Sequence, residues 1–178
     1  CQQHPGFSSR YLDFHYRSHH PLLIQFSNQA IYSRLVVRPN PTEYTPIQFI
    51  DVQGVWDNQH NSKEAERAID LLQTLSYSDL NPPKVLVATM NVRQRTEIVR
   101  MIKAVETDDP KFQRRMDTLR SAGFGVKNLE NLQGDECDVL MISIGYGAKS
   151  NGNFSRNYGI INHKHGYRLL NVLITRAR

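Results

Sequence analysis

The sequence predicts an α/β domain with a mostly parallel sheet. Two short apolar runs, KVLVAT at 84–89 and DVLMISIGYG at 138–147, have the near-continuous hydrophobicity of strands that are covered on both faces. The first of these runs is preceded and followed by segments in which apolar residues recur at helical spacing. Because strands alternate with helices and no internal repeat occurs, the pattern favours helical crossovers between parallel strands.

The first quarter of the chain predicts one helix and one strand. The helix is expected over 21–32, where Pro21 suits the opening turn and apolar side chains recur at helical spacing. RPNPTEYTP, at 38–46, is a proline-broken loop. IQFIDV, at 47–52, alternates between apolar and polar residues as a strand does, and Gly54 follows it.

The middle of the chain predicts a helix, a strand and a second helix. We expect the first helix over 61–75, since Asn61 can cap its N terminus while Glu64 reaches back to the cap. KVLVAT then forms a short buried strand. An amphipathic helix follows, with its apolar face formed by Val92, Ile98, Val99 and Ile102.

The last third predicts two strands and a final helix. The charged stretch 106–123 suits a partly exposed helix, FGVKNL at 124–129 suits an edge strand, and DVLMISIGYG suits a parallel strand. Residues 147–166 are rich in Gly, Asn and Ser and read as a loop. RLLNVLITRAR, at 168–178, completes the pattern as a helix with a broad apolar arc.

The composition is that of an ordinary globular domain. Of 178 residues, 39% are hydrophobic and 22% charged, which suits one domain with a real core. The net charge of +5 favours a polyanionic partner. No apolar run approaches the roughly 18 residues of a membrane span, and no signal peptide opens the chain. We therefore expect no membrane partner and a cytoplasmic location.

The two cysteines and the chain ends carry further expectations. Cys1 and Cys137 are too few for a disulfide framework, so reduced thiols are expected. The histidines cluster at His15, His19 and His20 and at His163 and His165, but no cysteine is placed to complete a zinc site, so no metal is predicted. The chain starts on Cys rather than Met and ends within a helix pattern, which predicts a fragment of a longer protein.

Arg176 stands out within the last helix. At about 100° per residue it lies near Leu169, inside the apolar arc, and not with the polar residues on the opposite face. A guanidinium cannot lose its proton, and an unpaired buried one costs several kcal/mol. Arg176 therefore either lies at the rim of the packed surface or meets an anion.

GYGAKS, at 145–150, resembles an incomplete phosphate-binding loop (P-loop). A working P-loop needs Gly-Lys-Ser/Thr at the opening of a helix, but Ala148 precedes Lys149 and no helical period follows. The same residues make an incomplete dinucleotide fingerprint, which disfavours a Rossmann-type protein. We interpret the stretch as a loop.

Three separated segments together resemble one family. YRSHHPLLIQFSN at 16–28, VKNLENLQGDECD at 126–138 and RLLNVLITRAR at 168–178 resemble motifs IV, V and VI of superfamily 1 DNA and RNA helicases. NSKEAERAIDLL and VLVATMNVRQRTEIVRMI resemble the segments between them. The chain is similar to the second RecA-like domain of the five-prime-to-three-prime branch, and especially to large bacterial helicase-related proteins.

The resemblance implies a fold and an activity. It implies a RecA-like, P-loop NTPase-type three-layer sandwich over residues 1–178 that lacks its own P-loop. The Walker A and B motifs and the Mg²⁺ ligands would lie in an upstream RecA-like domain of the same chain. The whole protein would be an ATP-dependent helicase or translocase that uses ATP and Mg²⁺, whereas this fragment alone would be inactive.

The resemblance also implies the residues that meet the nucleotide. Arg17 and Arg176 would face the γ-phosphate, with Arg176 as an arginine finger. Tyr16 would stack on the adenine and Glu136 would accept hydrogen bonds from the ribose. Gln133 would link the nucleotide state to the interdomain contact, and the backbone at Gly134 would allow a close approach.

On the other face, the resemblance implies that Thr89, Gln94 and Asn128 touch the phosphates or sugars of a single-stranded nucleic acid, with DNA preferred over RNA. An alternative is a nucleic-acid-binding module that keeps the RecA-like fold without the motor. That module would show salt-sensitive binding without any linkage to ATP.

Overall fold

The computed structural model describes residues 14–15, 18–37, 44–132, 134–154 and 156–177, with only the backbone at 14–15. The chain divides into two compact units, Cys1–Gln48 and Phe49–Arg178. Both units contain helices and parallel strands.

The first unit contains the predicted N-terminal helix. Strands β1 (Phe14–His15) and β2 (Val36–Val37) pair in parallel, and helix α1 (Leu22–Ser27) continues into a π-helical turn at Asn28–Tyr32. The buried His20 accepts a hydrogen bond from the Leu22 amide through Nδ1 at 3.2 Å. This histidine therefore serves the start of the helix, as capping groups do.

The second unit alternates helices with parallel strands. Its elements are α2 (Ser62–Thr74), β3 (Val85–Thr89), α3 (Val92–Asp108), α4 (Pro110–Ser121), β4 (Gly125–Asn128), β5 (Val139–Ser143) and α5 (Gly166–Ile174). The sheet has the order β4-β3-β5, and both pairings are parallel. The predicted α/β class and parallel sheet are confirmed.

Strand β3 lies at the centre of three layers. Val85 and Val87 face one core, and Leu86 and Ala88 face a second core on the other side of the sheet. Helices α2, α3 and α4 cover the first core with Ala65, Ile69, Leu72, Ile98, Ile102, Phe112, Met116 and Leu119. Leu129, Leu132, Cys137 and Leu173 complete the second. All five residues of β3 are buried, which explains its continuous apolar sequence.

Two predicted strands differ in the structure. Residues 47–52 form no strand, and Phe49 is 83% exposed. Alternation of apolar and polar residues determines which face of a strand would be buried. A strand also needs a neighbouring strand with which to form hydrogen bonds, and the alternation does not provide one. Strand β5 is an edge strand with Ile142 exposed, where the apolar run predicts a strand covered on both faces.

Arg115 of α4 closes the C-terminal end of α2. Its Nε donates to the Leu72 carbonyl at 2.6 Å, its Nη2 donates to the Leu75 carbonyl, and its guanidinium lies 4.5 Å from the centre of the Tyr77 ring. Carbonyls in the last turn of a helix have no partner within that helix. One charged side chain therefore satisfies two of them while packing on an aromatic face.

We expect Arg115→Ala to lower the free energy of unfolding of the 178-residue chain by about 2 kcal/mol, because hydrogen bonds to a charged group contribute about 1.5–3 kcal/mol. Urea denaturation measures the change. Arg114→Ala is the matched control, since Arg114 is exposed on the same helix. An equal effect of both changes would contradict the closing role of Arg115.

Candidate functional site

Three polar side chains line the carboxyl edge of the sheet. Strands β3, β4 and β5 end at Thr89, Asn128 and Ser143, and Thr89 is in register with both of the others. All three residues are buried. Ligands of open parallel sheets bind beyond this edge, so the structure places two of the predicted strand-contacting residues, Thr89 and Asn128, next to each other at a favourable position.

The predicted Gln94 lies behind this edge as the centre of a buried network. It is fully buried, its Oε1 accepts from the Asn61 amide at 2.6 Å, and its Nε2 donates to the Asn61 carbonyl and to Ser143 Oγ at 3.0 Å each. Asn91 caps α3 by accepting from the Gln94 amide at 2.9 Å. The side chain of Gln94 therefore joins the starts of α2 and α3 to the end of β5.

Glu64 extends the network to the loop after β5. Its Oε2 accepts from Ser143 Oγ at 2.7 Å and from the Gly145 amide at 2.8 Å. The predicted capping box is half formed: Asn61 Oδ1 accepts from the Glu64 amide at 3.3 Å, but the Asn61 amide donates to Gln94. The Glu64 carboxylate is therefore available to hold the loop.

Asn61, Glu64 and Ser143 were not among the predicted site residues. The Asn-x-x-Glu spacing of Asn61 and Glu64 predicts a helix cap, and their segment resembles one between the helicase motifs, whereas Ser143 lies in an apolar run without any such signal. Asn61 lies 33 residues and Ser143 49 residues from Gln94, and Glu64 lies 81 residues from Gly145, so local spacing in the sequence does not predict these contacts.

The remaining edge residues also have partners within the chain. Thr89 Oγ1 donates to the Asn91 carbonyl at 2.8 Å. Asn128 donates to Glu130 at 3.1 Å and accepts from Asn131 at 2.6 Å. These bonds orient Thr89 and Asn128, while a contact with nucleic acid stays a prediction.

The loop between β4 and β5 holds a second group of predicted residues. Gly134 is exposed at φ +88°, and a side chain there would meet no atom within 4 Å, so glycine is favoured by the backbone conformation and not by crowding. Glu136 is half-buried. Asp135 accepts from Lys127 Nζ at 2.8 Å, which ties the loop to β4.

Arg176 binds this same loop. Helix α5 ends at Ile174, so the predicted continuation of the helix to residue 178 is wrong and Arg176 lies in the turn beyond it. Its Nε donates to the Val172 carbonyl at 2.7 Å and its Nη1 to the Asp135 carbonyl at 2.9 Å. A cation at a helix C terminus is favourable because unpaired carbonyls concentrate negative charge there.

The backbone beside Arg176 is fixed to the same segment. The Cys137 amide donates to the Arg176 carbonyl at 3.1 Å, and Cys137 forms a parallel bridge with Ala177. Burial raises the pKa of the Cys137 thiol to about 11, so this thiol is protonated at neutral pH and packs as a small apolar side chain. The half-buried guanidinium of Arg176 therefore lies against the Asp135 carbonyl, in the loop that also contains Gly134 and Glu136.

The other predicted nucleotide-facing residues, Tyr16, Arg17 and Gln133, lie outside the described residues. GYGAKS forms a loop, as predicted: the Lys149 amide donates to the Asn153 carbonyl, and no helix begins there. Within the described part of the chain, no group of three or more His, Cys, Asp or Glu residues could hold a metal ion, and no helix is long and apolar enough to cross a membrane.

Comparison with known proteins adds two findings. The profile of a family described as an AAA domain (AAA_12) matches residues 1–178. The chain is also 33% identical over 174 residues to the uncharacterized ATP-dependent helicase MG140 of Mycoplasma genitalium and to its homolog from Mycoplasma pneumoniae. The aligned region covers 94% of this chain but 15% of each relative, so the chain spans a small part of the length of these proteins.

Proposed function

Because this chain belongs to the AAA_12 family of AAA domains and is homologous to proteins named ATP-dependent helicases, we propose that it is the second RecA-like domain of a superfamily 1 helicase or translocase. The polarity proposed for the motor is five-prime to three-prime. The observation that carries the proposal is the hydrogen bond from Arg176 to the Asp135 carbonyl. That bond joins the segments that resemble motifs V and VI into one unit.

The geometry around Arg176 fits a nucleotide phosphate. A guanidinium has five N–H donors, and its two described bonds to carbonyls use two of them. The carbonyls orient the planar group without neutralising its charge. We propose that the remaining donors meet the γ-phosphate and stabilise the charge that spreads over the phosphoryl group during its transfer.

The loop beside Arg176 suits the rest of the nucleotide. Glu136 would accept hydrogen bonds from the ribose, and the open side of Gly134 would let the backbone approach the ligand. Tyr16, Arg17 and Gln133 keep their proposed roles of adenine stacking, γ-phosphate binding and coupling to the interdomain contact. The P-loop and the ligands for Mg²⁺ would come from an upstream RecA-like domain of the same protein. We propose that this protein is located in the cytoplasm.

The carboxyl edge of the sheet would face the nucleic acid. Thr89 and Asn128 lie there side by side, and we propose that they contact the sugar-phosphate backbone of a single strand, DNA in preference to RNA. The burial of Gln94 supports a positioning role, in which it fixes the edge that the strand meets. ATP binding and hydrolysis would then close and reopen the cleft between the two domains.

Strand-stimulated ATP hydrolysis and unwinding of tailed duplexes by the full-length protein test this function. We expect ATP turnover that rises with added single strand, while the 178-residue chain alone neither hydrolyses ATP nor binds it tightly. Robust turnover by the 178-residue chain would contradict the division of the site between two domains. Salt-sensitive strand binding without any ATP linkage in the full-length protein would instead favour the module without a motor.

A further inference from the structure

Three aromatic side chains pack together in the loops near the end of β5. The Trp56 and Tyr146 rings are 4.7 Å apart at a tilt of 45°, and the Tyr146 and Tyr158 rings are 5.4 Å apart and edge to face. We call Trp56, Tyr146 and Tyr158 the aromatic cluster. Each of these residues is half-buried, so part of the surface of each is accessible to solvent.

Two glycines bring the backbone close to these rings. A Cβ at Gly145 would lie 3.2 Å from the Trp56 ring, and one at Gly159 would lie 2.9 Å from the Tyr146 hydroxyl. Both glycines have positive φ, at +77° and +59°. The Trp56 amide also donates to the Ala148 carbonyl at 2.9 Å. The rings therefore pack closely against the backbone of this loop, and a binding site that is already formed has a lower entropic cost of binding a flat ligand.

The aromatic cluster adjoins the carboxyl edge of the sheet. Gly145 lies two residues beyond the end of β5, and its amide donates to Glu64. A Cβ at Gly145 would also lie 3.5 Å from the Gln94 side chain. Gly145 therefore lies next to both Trp56 and the network formed by Gln94, Glu64 and Ser143. A strand that crosses this edge would reach the aromatic cluster next.

The chain segment that carries Tyr146 and Tyr158 is cationic, and one carboxylate lies beside it, because Asp57 accepts a hydrogen bond from Ser150 Oγ at 3.4 Å. Lys149 and Arg156 are exposed and lie between Tyr146 and Tyr158 in the sequence. The segment 139–178 contains no Asp or Glu, and its cations are Lys149, Arg156, Lys164, Arg168, Arg176 and Arg178. Rings together with neighbouring cations are the combination that binds single-stranded nucleic acid, because rings stack on bases and cations meet phosphates.

We propose that the aromatic cluster is a base-stacking site for single-stranded nucleic acid, with Trp56 as its main platform and with Lys149 and Arg156 as phosphate contacts. The inference rests on the proposed function, and it adds contacts with bases to a motor whose other proposed contacts are with the backbone of the strand. Trp56 is the only tryptophan of the chain, and its ring offers the largest surface for stacking.

Binding of oligothymidylate and of an abasic strand of equal length to the full-length protein tests the proposal. We expect Trp56→Leu to weaken oligothymidylate binding by roughly 5- to 100-fold, the range for loss of one stacked base. Affinity for the abasic strand should stay within about twofold, because that strand has no bases to stack. Trp56→Phe should restore most of the loss, and Phe49→Leu, which changes an exposed aromatic outside the cluster, should have no effect.

Charge changes provide a second measurement that does not disturb the packed rings. The double variant Lys149→Gln, Arg156→Gln should weaken both strands to the same extent and reduce the dependence of affinity on salt. Unchanged affinity in this variant would overturn the phosphate contacts. Equal weakening of both strands by Trp56→Leu, or no weakening of either, would overturn stacking.

The two hypotheses can fail separately. If the wild-type protein binds strands and hydrolyses ATP but the Trp56 variants match it, the stacking site is wrong and the proposed function stands. If the wild-type protein binds neither strand, both are wrong.

Discussion

Arg176→Ala in the full-length protein is expected to lower ATP turnover by roughly 10³-fold or more, the effect of removing an arginine finger. Removal of the guanidinium would leave the charge that develops on the phosphoryl group without its partner. Affinity for nucleic acid in the absence of nucleotide should change little, because the carbonyls bound by Arg176 belong to the loop before β5 and to α5. Steady-state ATP hydrolysis at saturating single strand measures the effect.

Two further variants separate catalysis from stability. Arg176→Lys keeps the charge but loses the planar fork, so it should recover little of the turnover. Arg100→Ala removes an exposed arginine from α3 and should leave turnover unchanged. Turnover within a few-fold of wild type in Arg176→Ala would reduce Arg176 to a helix-capping residue, which its bond to Val172 would by itself explain.

Gln94→Ala is expected to destabilise the 178-residue chain by about 2–4 kcal/mol. The change removes the acceptor of the buried Asn61 amide and the donor to Ser143, and an unsatisfied buried group costs about 1–3 kcal/mol. It also leaves a cavity at a fully buried position. The free energy of unfolding in urea is the measurement.

Comparison with two variants assigns this loss to the hydrogen bonds. Gln94→Met keeps most of the volume but none of the bonds, so it should retain most of the destabilisation. Arg93→Ala, at the exposed neighbouring position, should be close to neutral. A variant of Gln94 with normal stability and weakened strand binding would show instead that its side chain contacts the nucleic acid directly.

The sequence by itself determined the elements whose causes are local. Asn61 and Asn91 cap α2 and α3 because a side-chain oxygen needs only an amide three residues ahead. The continuous apolar run at 85–89 required a strand covered on both faces, and the spacing of apolar residues required α2 and α3. Hydrophobic periodicity and helix capping depend on residues that are close together in the sequence. The sequence alone therefore predicts the helices and strands that they specify.

Tertiary structure alone decided the contacts between distant residues. Gln94 takes the Asn61 amide, which frees Glu64 to bind Ser143 and Gly145. Residues 47–52 alternate like a strand but have no pairing among the described residues. The sequence places Arg176 in an apolar helical arc, whereas the structure places it in the turn beyond α5, where it bonds the Val172 and Asp135 carbonyls. A buried polar group forms a hydrogen bond with a partner that the packing of the core brings close to it. The periodicity of the sequence does not predict which partner that is.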